Sequence, residues 1–365
     1  MRRSLATLLF LTALLFAMGL LMVFNTSSAE VLDRGLNQSP HHALIKQLTF
    51  AAIGCVVAAF IWQFPPEDFF EKARKLLLFG VFLLILVLIP GVGHKVNGAR
   101  RWLNLGLLTF QPSEFMKIIL PLYAIAYLSI CPKLTFPLFL RLLLQLSLPI
   151  FLILLEPDNG TTAILLATLC VLFFVARVPS RYWARPLGVL VFFGVLIGAQ
   201  LNYIKERIHV YLHPEADLLG RGHQPYQAKI AAGSGGLFGV GFGESLQKLN
   251  YLPEARNDYI AAIFAEEFGF LGMAILVTIY MAFAAVGFKI ASKTQDERAY
   301  QLAAILTFLI TFQGFINLGV ISGLLPSKGM NLPFFSQGGS SLIANIMALT
   351  LILKMGTMRC QKPSY

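Results

Sequence analysis

The chain has 365 residues, of which 57% are hydrophobic and only 13% charged, with a formal net charge of +11. A soluble domain carries roughly 25% charged residues to keep its surface in water, so the composition excludes a soluble globular protein and leaves lipid as the main solvent. No basic block interleaved with aromatics lies outside the apolar segments, which argues against a nucleic-acid partner and suits Lys and Arg facing anionic headgroups. The four cysteines form no CxxC or Cys/His cluster, which argues against zinc or redox chemistry.

Apolar runs near 5–24, 44–63, 76–91, 113–131, 137–155, 161–177, 186–204, 268–289, 300–322 and 341–356 predict about ten transmembrane helices, each near the ~20 residues that a bilayer requires. Lipid cannot satisfy the backbone of an open sheet. The expected fold is therefore all-α, a single polytopic helical bundle over 1–365. The first run follows Arg2-Arg3 and precedes Ser27-Ser28-Ala29, but its apolar stretch is too long for a typical signal peptide and reads as a retained helix. The Lys/Arg bias puts the N-terminus in the cytosol, and ten spans return the C-terminus there. Two segments on the outer face keep basic residues against that bias. One carries Lys95, Arg100 and Arg101; the other is a long outer loop at about 205–257. An anionic ligand on that face is a reason to keep them.

Five constellations can carry chemistry. Arg100-Arg101-Trp102 is followed by Gln111-Pro112-Ser113-Glu114 and Lys117. Pro112 suits a first helical turn, and Glu114 and Lys117, three apart, share a helix face about one turn inside the membrane. Ionisable groups at that depth are costly and mark function more often than not, although a purely structural pair is the plain alternative. Glu156-Pro157-Asp158-Asn159-Gly160 divides two helices; its carboxylates are an acid/base pair, a metal contact, or a turn in which Asp158 caps the next helix. The glycine-rich run 233–241 either approaches a phosphate or is a flexible or re-entrant turn. Asp258 stands where outer loop becomes apolar helix, where partial desolvation raises a carboxylate's basicity. It is a general base or a helix cap, while Glu266-Glu267 pair with basic neighbours. Lys328 is the basic residue of the last outer loop, between Pro326 and Pro333, and can hold a phosphate as a point charge. Residue reasoning thus reaches an outward-facing basic cavity with a carboxylate near Asp258, open to an enzyme or a lipid transporter.

These motifs, in this order, resemble the SEDS family (shape, elongation, division and sporulation proteins) over nearly the whole chain. The resemblance rests on Arg101-Trp102 with Gln111-Pro112-Ser113-Glu114, on Leu252-Pro253-Glu254 through Asp258 with Glu266-Glu267, and on Gly338-Gly339-Ser340-Ser341. Pro326-Ser327-Lys328-Gly329 is closer to the division branch than to the elongation branch. The resemblance implies a peptidoglycan glycosyltransferase that polymerises lipid II outside the bacterial cytoplasmic membrane during division, with Asp258 as general base. It also implies a lipid II cavity formed by Arg101, Glu114, Lys117 and Lys328, in which Arg101 and Lys328 contact the pyrophosphate, and the residue reading adds Asp158 as a candidate substrate contact. A divalent cation, Mg2+ or Mn2+, is implied without assignable ligands, and so is a class B penicillin-binding transpeptidase as partner beside other division proteins. A lipid II flippase and a non-catalytic division scaffold are the alternatives. The chain departs from the family's usual pattern at Arg256-Asn257 before Asp258, at Gln337 before Gly338, and at Ala228-Lys229.

Overall fold

The computed structural model describes residues 2–33, 39–96, 99–104, 106, 109–131, 133–198, 209–218, 220, 222–249, 252, 255–327 and 329–358. Each predicted apolar run falls on a helix within the described residues, and 199–204 of the seventh run lie outside them. In chain order these are α1 (Arg2–Asp33), α2 (His42–Gln63), the short α3 (Pro66–Glu71), α4 (Ala73–Leu88), α5 (Pro112–Ser129), α6 (Phe136–Leu155), α7 (Asn159–Val175) and α8 (Ser180–Gly198). The outer segment then contributes α9 (His223–Ser234), followed by α10 (Ile260–Ser292), α11 (Glu297–Ile321) and α12 (Gly339–Thr357). Six of them, α1, α2, α6, α10, α11 and α12, are long and apolar enough to cross a membrane by length and composition alone. The protein is a polytopic membrane helical bundle. Cys55, Cys131 and Cys170 are free thiols, and Cys360 lies outside the described residues.

Local chemistry sets the helix ends. Pro112 starts α5, where its missing N–H costs nothing. Asp158 caps α7 by accepting from Thr161 N at 3.2 Å, and Asp296 caps α11 by accepting from Ala299 N at 2.9 Å. The centre of the bundle is α11 and α12, whose apolar windows are 72% and 83% buried. Around them α12 packs on α2, α11 on α10, α5 and α7, and α1 on α10. Large apolar side chains such as Phe60, Phe79, Phe151 and Ile275 stay exposed, as a lipid-facing surface requires. Near the end of α12, Gly356 lies against Leu5 and Ile290, so both termini leave from one face of the bundle. At the opposite end of α1, Glu30 pairs with Arg256 at 3.1 Å.

Two features add to the helical expectation. Between α4 and α5 lies a three-stranded antiparallel sheet, β1 (Gly93–Val96), β2 (Ala99–Asn104) and β3 (Thr109–Phe110), in sequential order. The described part of the long outer segment is also folded rather than loose. Its glycine-rich run docks on a break in α10 at Gly269, where φ is +63°. Val240 N and Gly241 N donate to the Glu266 and Glu267 carbonyls at 3.0 and 3.1 Å. Phe270 N and Leu271 N donate to the Gly236 and Leu237 carbonyls at 2.9 and 3.1 Å. A Cβ on Gly269 would stand 2.3 Å from Gly239 N, so this close approach demands glycine. The glycines serve a re-entrant turn, and the run contributes nothing to the cavity described next.

Candidate functional site

A cavity of about 530 Å³ opens on the face opposite the chain termini, within the usual size of a ligand site. Its walls come from β2, β3 and the outer ends of α2, α5, α7, α11 and α12, with the segments 256–258 and 329–341. Five of the six predicted site residues line it: Arg101, Glu114, Lys117, Asp158 and Asp258. The sixth, Lys328, lies outside the described residues.

Three residues of β2, Ala99, Arg101 and Trp102, line the cavity, and Arg100 does not. Arg101 Nε donates to the Glu156 carbonyl at 3.0 Å, and its Nη2 donates to the Pro157 carbonyl. The guanidinium therefore ties the sheet to the α6–α7 turn. In that turn Asp158 does two things. One oxygen caps α7, and the other accepts from Gln111 Nε2 at 3.3 Å and Ser113 Oγ at 3.4 Å. Glu156 faces inward instead. It is fully buried, and neither carboxylate oxygen has a hydrogen-bond partner. Burial, then the charge of Asp158, push its pKa up to about 8, against the pull of Arg101.

Glu114 and Lys117 form the expected pair at 2.7 Å, both buried. Lys117 Nζ also donates to Gln313 Oε1 at 2.9 Å. From there amide side chains connect the floor to the last outer loop. Gln313 Nε2 donates to the Asn331 carbonyl at 2.8 Å, and Asn331 Nδ2 donates to the Gln337 carbonyl at 2.8 Å. One turn along α11, Asn317 Nδ2 donates to the carbonyls of Asp258 at 2.8 Å and Met330 at 2.7 Å. Asp258 is half-buried and does not cap α10; that position belongs to Tyr259, and no side-chain cap bond forms there. Gly329 presses on the carboxylate so closely that a Cβ would meet Asp258 Oδ2 at 2.7 Å.

The acidic pair after Asp258 sits outside the cavity and is structural. Glu267 is buried against Lys248 at 2.9 Å and takes two hydrogen bonds from Asn25 Nδ2, at 2.8 and 2.6 Å. Glu266 accepts from Ser245 Oγ and from Leu246 N. Together they fasten the outer segment to α10 and α1. Lys46, Arg256 and Gln313 also line the cavity, although sequence reasoning assigned none of them to it and noted Arg256 only as a departure beside Asp258. Lys46 reads as an ordinary interfacial lysine at the start of an apolar run, and nothing local distinguishes it.

The family of cell cycle proteins that groups FtsW, RodA and SpoVE matches residues 6–360. The chain belongs to this family. It is 37% identical over 350 residues to a probable peptidoglycan glycosyltransferase FtsW of Legionella pneumophila, covering 93% of this chain and 88% of that one. It is also 37% identical over 353 residues to the stage V sporulation protein E of Bacillus subtilis, covering 95% of each. Among solved structures, a chain of a peptidoglycan synthase complex that coordinates polymerization and crosslinking superposes with a TM-score of 0.76 at 28% identity, covering 96% of both chains. The rod shape determining protein RodA of Thermus thermophilus superposes with a TM-score of 0.70 at 29% identity, covering 97% of both. Family membership thus covers the whole cavity, from β2 to the start of α12.

Proposed function

We propose that the chain is a peptidoglycan glycosyltransferase that polymerises lipid II at the outer face of the bacterial cytoplasmic membrane during division. The observation that carries the reading is the half-buried Asp258 on a cavity that also holds Arg101 and the Glu114–Lys117 pair. Asp258 accepts the proton of the acceptor GlcNAc 4-hydroxyl as that oxygen attacks the donor's MurNAc anomeric carbon. The bond to undecaprenyl pyrophosphate breaks, the diphosphate leaves with the electron pair, and the anomeric configuration inverts. A base on the face opposite the leaving group is what inversion needs, as inverting glycosidases illustrate. Arg101 and Lys328 offset the charge that develops on the diphosphate. The buried Glu114–Lys117 pair and Asp158 shape the sugar-binding floor.

For a divalent cation the fit is poor. No three His, Cys, Asp or Glu side chains converge among the described residues, so these residues form no protein cage for Mg2+ or Mn2+. No step above is routed through such an ion. The cavity is lined from the outer ends of the helices: Phe50, Lys117, Ile164 and Gln313, the lining residues farthest along α2, α5, α7 and α11, sit within about two and a half turns of those ends. That one-sided depth favours catalysis over transport across the bilayer. A class B penicillin-binding transpeptidase is the fitting partner, because the related synthase complex couples polymerization to crosslinking.

The test is polymerisation of lipid II by the purified full chain with its transpeptidase. Wild type is expected to make glycan strands. Asp258→Asn is expected to bind lipid II and make none. Normal strand synthesis by Asp258→Asn removes the base assignment, and translocation of lipid II without glycan product points to a flippase.

A further inference from the structure

The cavity's described cations differ in how far the protein itself engages them. Lys117 is neutralised by Glu114 at 2.7 Å. Arg101 is tied to two carbonyls of the α6–α7 turn. Lys46, in the second turn of α2, lines the same cavity and is exposed, and its ammonium makes neither ion pair nor hydrogen bond among the described residues. Its neighbour Gln47 is buried and locks α2 to the last outer loop, donating to the Ser336 carbonyl at 3.1 Å and accepting from Gly338 N at 3.3 Å. Arg256 meets the same three-residue stretch, since its carbonyl accepts from Gln337 N at 3.1 Å. The Arg256 side chain is 41% exposed and touches Glu30 through Nη1. A guanidinium has five N–H donors, so a single carboxylate contact leaves most of the fork available.

Two cation sets therefore stand on separate walls: Arg101 on β2 and the α6–α7 turn, and Lys46 with Arg256 around residues 336–338. A polymerase must hold two lipid-linked diphosphates at once. Two such anions repel strongly at close range in a partly desolvated cavity, and one cation set cannot serve both. We propose that Lys46 and Arg256 form a second diphosphate subsite, which holds one lipid-linked substrate while the Arg101 wall holds the other. The subsite rests on the polymerase reading for its biological ligand. Its chemistry, a lysine and a half-free arginine on a pinned loop, is recognition of a lipid-borne phosphate.

The test uses the full chain in nanodiscs. By native mass spectrometry with undecaprenyl diphosphate, wild type is expected to carry two diphosphate lipids, Lys46→Gln one, and Lys46→Arg two. In strand synthesis with the transpeptidase present, Lys46→Gln is expected to raise the KM for lipid II about tenfold, with kcat within about twofold, the loss expected for one charge-assisted contact. Lys46→Arg is expected to restore the KM. The same shift is expected in pure phosphatidylcholine and after addition of phosphatidylglycerol. Unchanged occupancy and KM in Lys46→Gln overturn the subsite. A shift seen only with phosphatidylglycerol also overturns it, because Lys46 is then a contact for bulk headgroups. If wild type makes no glycan while Lys46→Gln still loses one bound diphosphate, the polymerase reading falls and the subsite stands.

Discussion

Replacing Asn317 by leucine keeps the volume of the side chain and deletes both hydrogen bonds from its Nδ2, at 2.8 Å to the Asp258 carbonyl and 2.7 Å to the Met330 carbonyl. One bond holds the segment that carries Asp258, and the other holds the strand of loop that includes Gly329, whose backbone lies on the Asp258 carboxylate. An acceptor that loses its partner in a buried setting costs about 1–3 kcal/mol. The chain escapes that cost by moving both carbonyls toward water, which displaces Asp258. A shift of about 1 Å in a catalytic group can lower the rate on the order of 100-fold. Asn317→Leu is therefore expected to reduce kcat for glycan synthesis by about 10- to 100-fold, with lipid II KM within about threefold and the melting temperature in detergent lowered only slightly. Strand synthesis at limiting and saturating lipid II, followed by gel separation of labelled glycan, separates the two constants. Wild-type kcat in Asn317→Leu, or a loss confined to KM, refutes the claim that α11 positions Asp258.

Gly329→Ala puts a Cβ 2.7 Å from Asp258 Oδ2, and the carboxylate is the mobile partner. Glycan synthesis is expected to fall at least tenfold while thermal stability changes little; an active Ala variant shows that the carboxylate does not need its present rotamer. Glu156 holds a proton in the folded protein up to about pH 8. The unfolded chain releases that proton near the ordinary carboxylate value, so stability falls as pH rises between those two points, by on the order of a few kcal/mol. Glu156→Gln is expected to flatten that fall, seen as a gain in melting temperature over wild type at pH 8.5 that shrinks at pH 5; equal pH profiles contradict the assignment. Lys248→Met leaves Glu267 buried against Asn25 alone, and loss of one partner of a buried pair costs about 3–5 kcal/mol. Limited proteolysis is expected to cut the outer segment 235–249 first, and an unchanged cleavage pattern argues against its role as a fastening.

Much of this protein was legible from short-range sequence. Hydropathy located the apolar helices, six of them long enough to cross a membrane among the described residues, because a lipid-facing span must satisfy its own backbone and present apolar atoms all along its length, a demand met residue by residue. The Glu114–Lys117 pair was readable for a similar reason: two residues three apart on one helix meet whatever surrounds them. Asp258, Arg101 and Asp158 stood out because charge near a membrane boundary is costly to place without a purpose.

Tertiary structure alone decided what depends on partners distant in the chain. It paired β2 with β1 on one side and β3 on the other, and so carried Arg101 and Trp102 to the cavity, which Arg100 does not line. It used the glycine-rich run to fasten a broken α10, where the sequence left a phosphate loop open as a weak reading beside a flexible or re-entrant turn. It also brought Lys46, 210 positions before Arg256, to the same short loop. Hydropathy and helical periodicity report on neighbours within a few turns. A cavity is an agreement among side chains that only the packing of helix on helix brings together.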